Sequence, residues 1–265
     1  MNFSELIQAA RGNAEAIVIP ASWGQGRAVF GGLVAALAYE AMAAKVEPGR
    51  PVRSLAITFV GPLEPEVPAS FEAERLREGK AVSQMACRVV QKGQVVAILQ
   101  GSFGSARASA IQVDAEPAPD FKPVEDCVEL PFVPGVMPEF TRHLAMRWAV
   151  GGLPYSNSRE RELGGWVRFR GEIEREPLTE AHLLALVDAW PPATVPHLAA
   201  PAPGSTLTWT IEFVQPVPRL DSFDWCRYRA RIEHARDGYG HAAAALWTPD
   251  GALVAISRQT VVVFG

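Results

Sequence analysis

The chain has 265 residues, 48% of them hydrophobic and 20% charged, and a formal net charge of −4. That composition buries a sizeable core and excludes a disordered chain. With no run of Lys or Arg, it also excludes a nucleic-acid binder held by phosphate contacts.

The first residues, with Glu5 and no basic-then-apolar build, read as a short helix over 1–10 and not as a secretory signal. Residues 14–24 have strand character and then turn chemistry. Phe30–Lys45 is the strongest helix: Ala- and Leu-rich, without internal proline, and stopped by Glu47–Pro51. It is apolar almost all round and so should be buried on most sides. Glu40 interrupts it, and it falls short of the ~20 residues a membrane span needs, so no membrane association is expected.

From Val52 the period changes. Four strands are expected up to residue 104, with turns at Gly61–Pro62, Glu78–Gly79 and Lys92–Gly93. Residues 105–138 read as a linker, which gives units over 1–104 and 139–265. In the second unit, strands are expected over Phe140–Gly152 and Gly164–Ile173. A helix follows over Leu178–Trp190, with Thr179 as N-cap and Pro191–Pro192 as stop. Four more strands are expected over Ser205–Phe213, Asp224–Ala235, Gly240–Thr248 and Ala252–Phe264.

The two units repeat each other. Ala35–Met42 aligns with Leu183–Trp190, and Ala56–Pro62 with Thr210–Pro216. Arg77–Val82 aligns with Arg236–His241, and Lys92–Ile98 with Asp250–Ile256. The offset grows from 148 in the first pair to 158 in the last, as two diverged copies of one domain-sized unit would. Each copy is a helix followed by antiparallel strands. The fold class is therefore α+β, with a sheet wrapped around each buried helix.

Several chemistries find no support. There is no G-x-S-x-G elbow, and the glycine motif at Gly24 and Gly26 has Val29 in its third position. The five histidines and three cysteines lack metal-ligand spacing. Cys87, Cys127 and Cys226 lie far apart and are odd in number, which points to a reduced, cytoplasmic location.

Asp188 lies in an apolar helix, where poor solvation makes a carboxylate a better base. It reads equally as a half-exposed acid near a helix end. Its counterpart in the first copy is Glu40. Gly31–Gly32 opens the first helix and offers N–H groups to an oxyanion, or simply makes a tight turn. Thr206, Thr208 and Thr210 alternate along one strand, so all three are expected on one face. Gln259 lies in a largely apolar strand and, if buried, needs partners.

Taken together, "FGGLVAAL", "LLALVDAW", "STLTWTIEFVQP" and "DGALVAISRQ" resemble the acyl-CoA thioesterase II family in order and spacing. The resemblance implies a double hotdog, with catalytic Asp188, Thr206 and Gln259 all in the second unit. It implies an acyl-CoA substrate hydrolysed by Asp-activated water, without metal or other cofactor. Gly31 and Gly32 are then candidates for oxyanion binding, and Phe30 and Trp190 for the acyl slot. Homo-oligomerisation is a further expectation. Two alternatives stand beside this reading. One is a hydratase or dehydratase of acyl thioesters, disfavoured because His182 and Asp188 lie on different faces of one helix. The other is a non-catalytic acyl-CoA-binding protein.

Overall fold

The computed structural model describes residues 1–170 and 175–264. It divides into two compact units: Met1–Ala115 with Pro134–Phe140 and Thr179–Ala185, and Glu116–Val133 with Thr141–Leu178 and Leu186–Gly265.

In the first unit, α1 (Phe3–Gly12) opens with a capping box. The Asn2 side chain accepts from the N–H of Glu5, and the Glu5 carboxylate accepts from the N–H of Asn2. Its buried residues Phe3, Leu6, Ile7 and Ala10 form one helical stripe. The short strands β1 (Gly24–Gln25) and β2 (Ala28–Val29) lead into α2 (Gly31–Ala43). Every residue of α2 from Gly32 to Met42 is buried, as its all-round apolar sequence requires. The four expected strands follow: β3 (Val52–Phe59), β4 (Ser70–Glu78), β5 (Val82–Gln91) and β6 (Gln94–Gly104). They pair antiparallel in the order β4-β5-β6-β3. Lys92 and Gly93, both at positive φ, make the two-residue turn between β5 and β6. The inner face carries Leu55, Ile57, Met85, Cys87, Val89 and Leu99.

In the second unit, β7 (Val128–Glu129), β8 (Leu144–Val150) and β9 (Glu162–Phe169) precede α3 (Glu180–Asp188), whose residues up to Ala185 count with the first unit. Then come β10 (Gly204–Phe213), β11 (Cys226–Arg236), β12 (Tyr239–Trp247) and β13 (Leu253–Val263). The antiparallel order is β10-β13-β12-β11-β9-β8-β7. Its first four strands repeat the order of the first unit's sheet, and the fold is the expected α+β double hotdog. The strand expected from Phe140 begins only at Leu144. Glu139–Arg142 is a short 3₁₀ turn instead, and Phe140 stacks face to face on Phe30, its ring centroid 4.1 Å away. The end of the strand expected over Gly164–Ile173 lies outside the described residues from 171 on.

Residues 119–124 run along the outer face of the second sheet. Trp166 Nε1 donates to the Lys122 carbonyl (3.0 Å), and the guanidiniums of Arg147 and Arg227 donate to the carbonyls of Val124 (2.8 Å) and Pro119 (3.1 Å). Arg147, Trp166 and Arg227 lie side by side in the register of β8, β9 and β11, so one row of side chains holds the segment.

Candidate active site

Asp188 is the last residue of α3 and is half-buried. On β13, the amide Nε2 of half-buried Gln259 donates to Asp188 Oδ1 at 2.8 Å. The bond fixes one carboxylate oxygen and satisfies a polar side chain on a largely apolar strand.

Thr206 reaches the same sheet face through an irregularity. The register of β10 against β13 shifts between Thr206 and Thr208, so Leu207 is a β-bulge. Thr206 opposes Val261 and Trp209 opposes Gln259, whereas Thr208 opposes Thr260 and Thr210 opposes Arg258. Directly opposed residues share a face, and β13 alternates. Thr206 therefore lies on the face of Gln259 and buried Trp209, and Thr208 and Thr210 lie on the other. This corrects the expectation that the three threonines face one side: an extra residue inverts the alternation. Among the described residues, Thr206 Oγ1 has no hydrogen-bond partner.

Gly31 and Gly32 form the first turn of α2 in the first unit. Phe30 is the N-cap and lends no side-chain cap; its carbonyl accepts from Leu33 and Val34. Among the described residues, the N–H groups of Gly31 and Gly32 have no acceptor, the usual state of an uncapped helix start. Phe30 itself is fully buried against Phe140.

The first unit has no comparable acid. Glu40, the counterpart of Asp188, is 1% exposed, and Arg11 clamps it with Nε to Oε2 at 2.8 Å and Nη2 to Oε1 at 3.0 Å. Burial pushes the Glu40 carboxyl above its ordinary range, and the guanidinium opposes the shift without reversing it. The β3–β6 pair carries a register shift between Val52 and Ser54, as β10–β13 does between Thr206 and Thr208. Val52 thus occupies the place of Thr206, and Gly101 that of Gln259. A Cβ at Gly101 would sit 2.9 Å from Phe103, 3.1 Å from Leu55 and 3.4 Å from Met42, so apolar side chains fill that position.

His182 is an element of the helix start. Its Nδ1 accepts from the Thr179 N–H (3.1 Å) and lies 3.0 Å from Thr179 Oγ1, so His stands where a capping box has Glu and makes that residue's half of it. The tautomer is assigned from that network. Burial pushes its pKa down to about 4, so the ring is neutral near pH 7. Among the described residues, no group of three or more His, Cys, Asp or Glu could hold a metal ion.

Sequence reasoning missed Tyr228 and Trp148. Tyr228 is buried on β11 and stacked on Trp190, with centroids 5.4 Å apart and planes 6° from parallel; Trp148 lies 4.9 Å from Trp190 on another side. Burial first, and then the charge of Asp188, push the Tyr228 phenol upward, which places it within electrostatic reach of the carboxylate. The available signal was the alternation of "CRYRARI", which puts Cys226, Tyr228, Ala230 and Ile232 on one face.

Comparisons with known proteins agree with this architecture. Residues 19–104 match the model of the acyl-CoA thioesterase N-terminal domain, and residues 124–263 that of the acyl-CoA thioesterase C-terminal domain. Acyl-coenzyme A thioesterase 8 of Mus musculus is 34% identical over 101 residues, covering 38% of this chain and 31% of the relative. The alignment thus spans under a third of that relative's length. Among solved structures, a putative thioesterase II from Thermobifida fusca YX has a TM-score of 0.81 at 19% identity, covering 98% of this chain and 97% of the other. A conserved protein of unknown function with a hot dog fold from Alicyclobacillus acidocaldarius has a TM-score of 0.79 at 23% identity, with 97% and 98% covered.

Proposed function

This chain belongs to the acyl-CoA thioesterase II family, and from that premise we propose that it hydrolyses acyl-CoA thioesters to free acid and CoA, with Asp188 as the base that activates water. The observation that carries the reading is the 2.8 Å hydrogen bond from Gln259 to Asp188. It supports an oriented carboxyl group at a helix end, on the sheet face that also carries the Thr206 hydroxyl.

In this reading a water molecule is held by Asp188, with Thr206 and Gln259 restraining its position. As the water oxygen attacks the thioester carbonyl carbon, its proton passes to Asp188. The carbonyl oxygen becomes an oxyanion, which backbone N–H donors would stabilise. Collapse of the tetrahedral intermediate breaks the C–S bond, and the departing CoA thiolate takes up the proton. A thiolate is a good leaving group, so the chemistry requires no metal or redox cofactor. Trp190 is assigned to the wall of the acyl slot. Homo-oligomerisation and a cytoplasmic setting belong to the same proposal; the three buried, free cysteines support a reducing compartment.

The test is release of free thiol from a panel of acyl-CoAs by the wild type and by Asp188→Ala. A loss of about 10²–10⁴ in kcat with the fold retained is expected for removal of a general base. Unchanged turnover removes Asp188 from the mechanism. Acyl-CoA binding without turnover at any chain length makes the protein a carrier instead.

A further inference from the structure

Two of the five histidines face each other on the second sheet, away from the candidate active site. His234 on β11 opposes His241 on β12, with ring centroids 6.1 Å apart and planes 21° from parallel. Simple alternation would not bring them together. Ile232 is buried and opposes Ala242, so an unbroken ladder would pair His241 with Glu233. The register shifts between Ile232 and His234, so Glu233 is a β-bulge and His234 takes the place opposite His241. Two residues at positive φ, Asp237 and Gly238, close the hairpin and pin that register.

His241 also opposes Thr260 on β13, the chain neighbour of Gln259. Adjacent strand residues point to opposite faces, so the pair stands on the outer face, opposite to Gln259. His234 is exposed there and His241 is half-buried. The Nδ1 of His241 lies 3.3 Å from Thr260 Oγ1. β13 and β11 flank β12 on its two sides, so with Nδ1 turned toward β13 the other nitrogen, Nε2, is left on the side of His234. When Nδ1–H donates to the Thr260 hydroxyl, Nε2 carries the free lone pair, the arrangement that orients metal-binding imidazoles. Arg258, two residues along β13 on the same face, is ion-paired with Glu233, so its charge is balanced.

We propose that His234 and His241 together bind one divalent transition-metal ion of the zinc, nickel or copper class, with Thr260 as the residue that orients His241. Imidazole nitrogen suits these ions. A metal–nitrogen bond of about 2.0–2.1 Å puts the centre of a ligated ring about 3 Å from the ion. Half of the 6.1 Å separation matches that reach, so an ion between the two rings is within bonding distance of both. Rotation of an imidazole about χ2 is soft, which lets each nitrogen aim at the shared ion. Water fills the remaining coordination positions on this open face. The bound ion ties β11 to β12 and thereby stabilises the folded chain. The site takes no part in the proposed hydrolysis.

The test is calorimetric titration of Ni²⁺ into the full chain near neutral pH. Saturable binding of one ion per chain is expected. His234→Gln and His241→Gln should each weaken it by about tenfold or more, and the double variant should bind no better than either. Thr260→Val keeps both ligands but frees the ring of His241, and should weaken binding about tenfold. Melting temperatures without metal check that each variant folds. Added Ni²⁺ should raise the melting temperature of the wild type and not that of the double variant. Electron paramagnetic resonance of the Cu²⁺-loaded wild type needs no variant and should show two imidazole nitrogens on one ion. The absence of saturable binding overturns the proposal, as does binding that survives in the double variant or a single nitrogen on the copper. Undiminished affinity in either single variant overturns it too, since the two rings then do not share the ion. Undiminished affinity in Thr260→Val removes Thr260 from the site.

Discussion

Gln259 and Asp188, 71 residues apart in the chain, meet through a 2.8 Å hydrogen bond from Nε2 to Oδ1. The repeat does not reproduce that pair. Gly101 stands in the place of Gln259, and Glu40, in the place of Asp188, is bound by Arg11. The β-bulge is present in both copies, but it re-aims Val52 in one and Thr206 in the other. Duplication thus supplied the scaffold, including the strand irregularity. Three side-chain differences decide which copy carries a polar cluster.

Gln259→Glu places a second carboxylate within hydrogen-bonding distance of Asp188. Two acids that close share a proton until the pH is high enough to remove it. The shared proton blocks the base, so thiol release should be low at neutral pH and recover as the pH rises. The pH–kcat profile of the variant should be displaced to the alkaline side of the wild type. Overlapping profiles would mean that Gln259 does not touch the reactive form of Asp188.

Thr206→Val and Thr208→Val separate the two faces of β10. The first removes a hydroxyl from the Gln259 face, and kcat should fall about five- to tenfold for one hydrogen bond lost. The second acts on the exposed opposite face, and kcat should stay within twofold. Equal effects, measured by thiol release, would show that the bulge at Leu207 does not set the orientation that matters.

The fold was legible because its signals are local. The apolar run of α2, the alternation of β5 and the Lys92–Gly93 turn each report their own element, and the repeat then orders the elements. The acids were legible as polar residues on apolar helices. What could not be read was any feature set by register. Strict alternation put Thr206, Thr208 and Thr210 on one face, and one extra residue, which leaves no mark in composition, reversed the outcome. The arginine that neutralises Glu40 comes from α1, 29 residues away, and only packing brings it there. Tyr228 owes its relevance to neighbours distant in sequence.

Arg11→Met tests the reading of Glu40 as a structural acid. The guanidinium lowers a carboxyl that burial raises, so removing it drives the carboxyl further up. The folded state then holds a proton that the unfolded chain releases. The penalty is largest near neutral pH and shrinks as the pH falls toward the unfolded value of 4.5. Arg11 is itself 56% exposed, so solvent screens part of the pair. A loss of about 1–3 kcal/mol is expected at pH 7, and clearly less at pH 5. Urea titrations at the two pH values read the difference. An equal loss at both would trace the effect to the arginine stem, and Glu40→Gln should keep turnover within twofold.

His182 gives the opposite pH signature. Its folded-state pKa lies at about 4, below the usual 6.5, because burial penalises the charged ring. The unfolded chain therefore binds the proton more tightly. The stability that His182 contributes is complete above pH 6.5 and is lost as the pH falls through that value toward 4. The full difference is on the order of 3 kcal/mol. His182→Gln keeps an acceptor in the capping-box position but does not titrate. It should lose some stability at pH 7, because the ring also packs 4.8 Å from Phe3. Between pH 6.5 and 4, its melting temperature should fall less steeply than that of the wild type. Taking the difference between the two proteins cancels Glu40 and the other carboxylates, which both share. If the two curves run parallel, His182 either stays charged in the folded state or titrates equally in both states, and its burial does not govern acid stability.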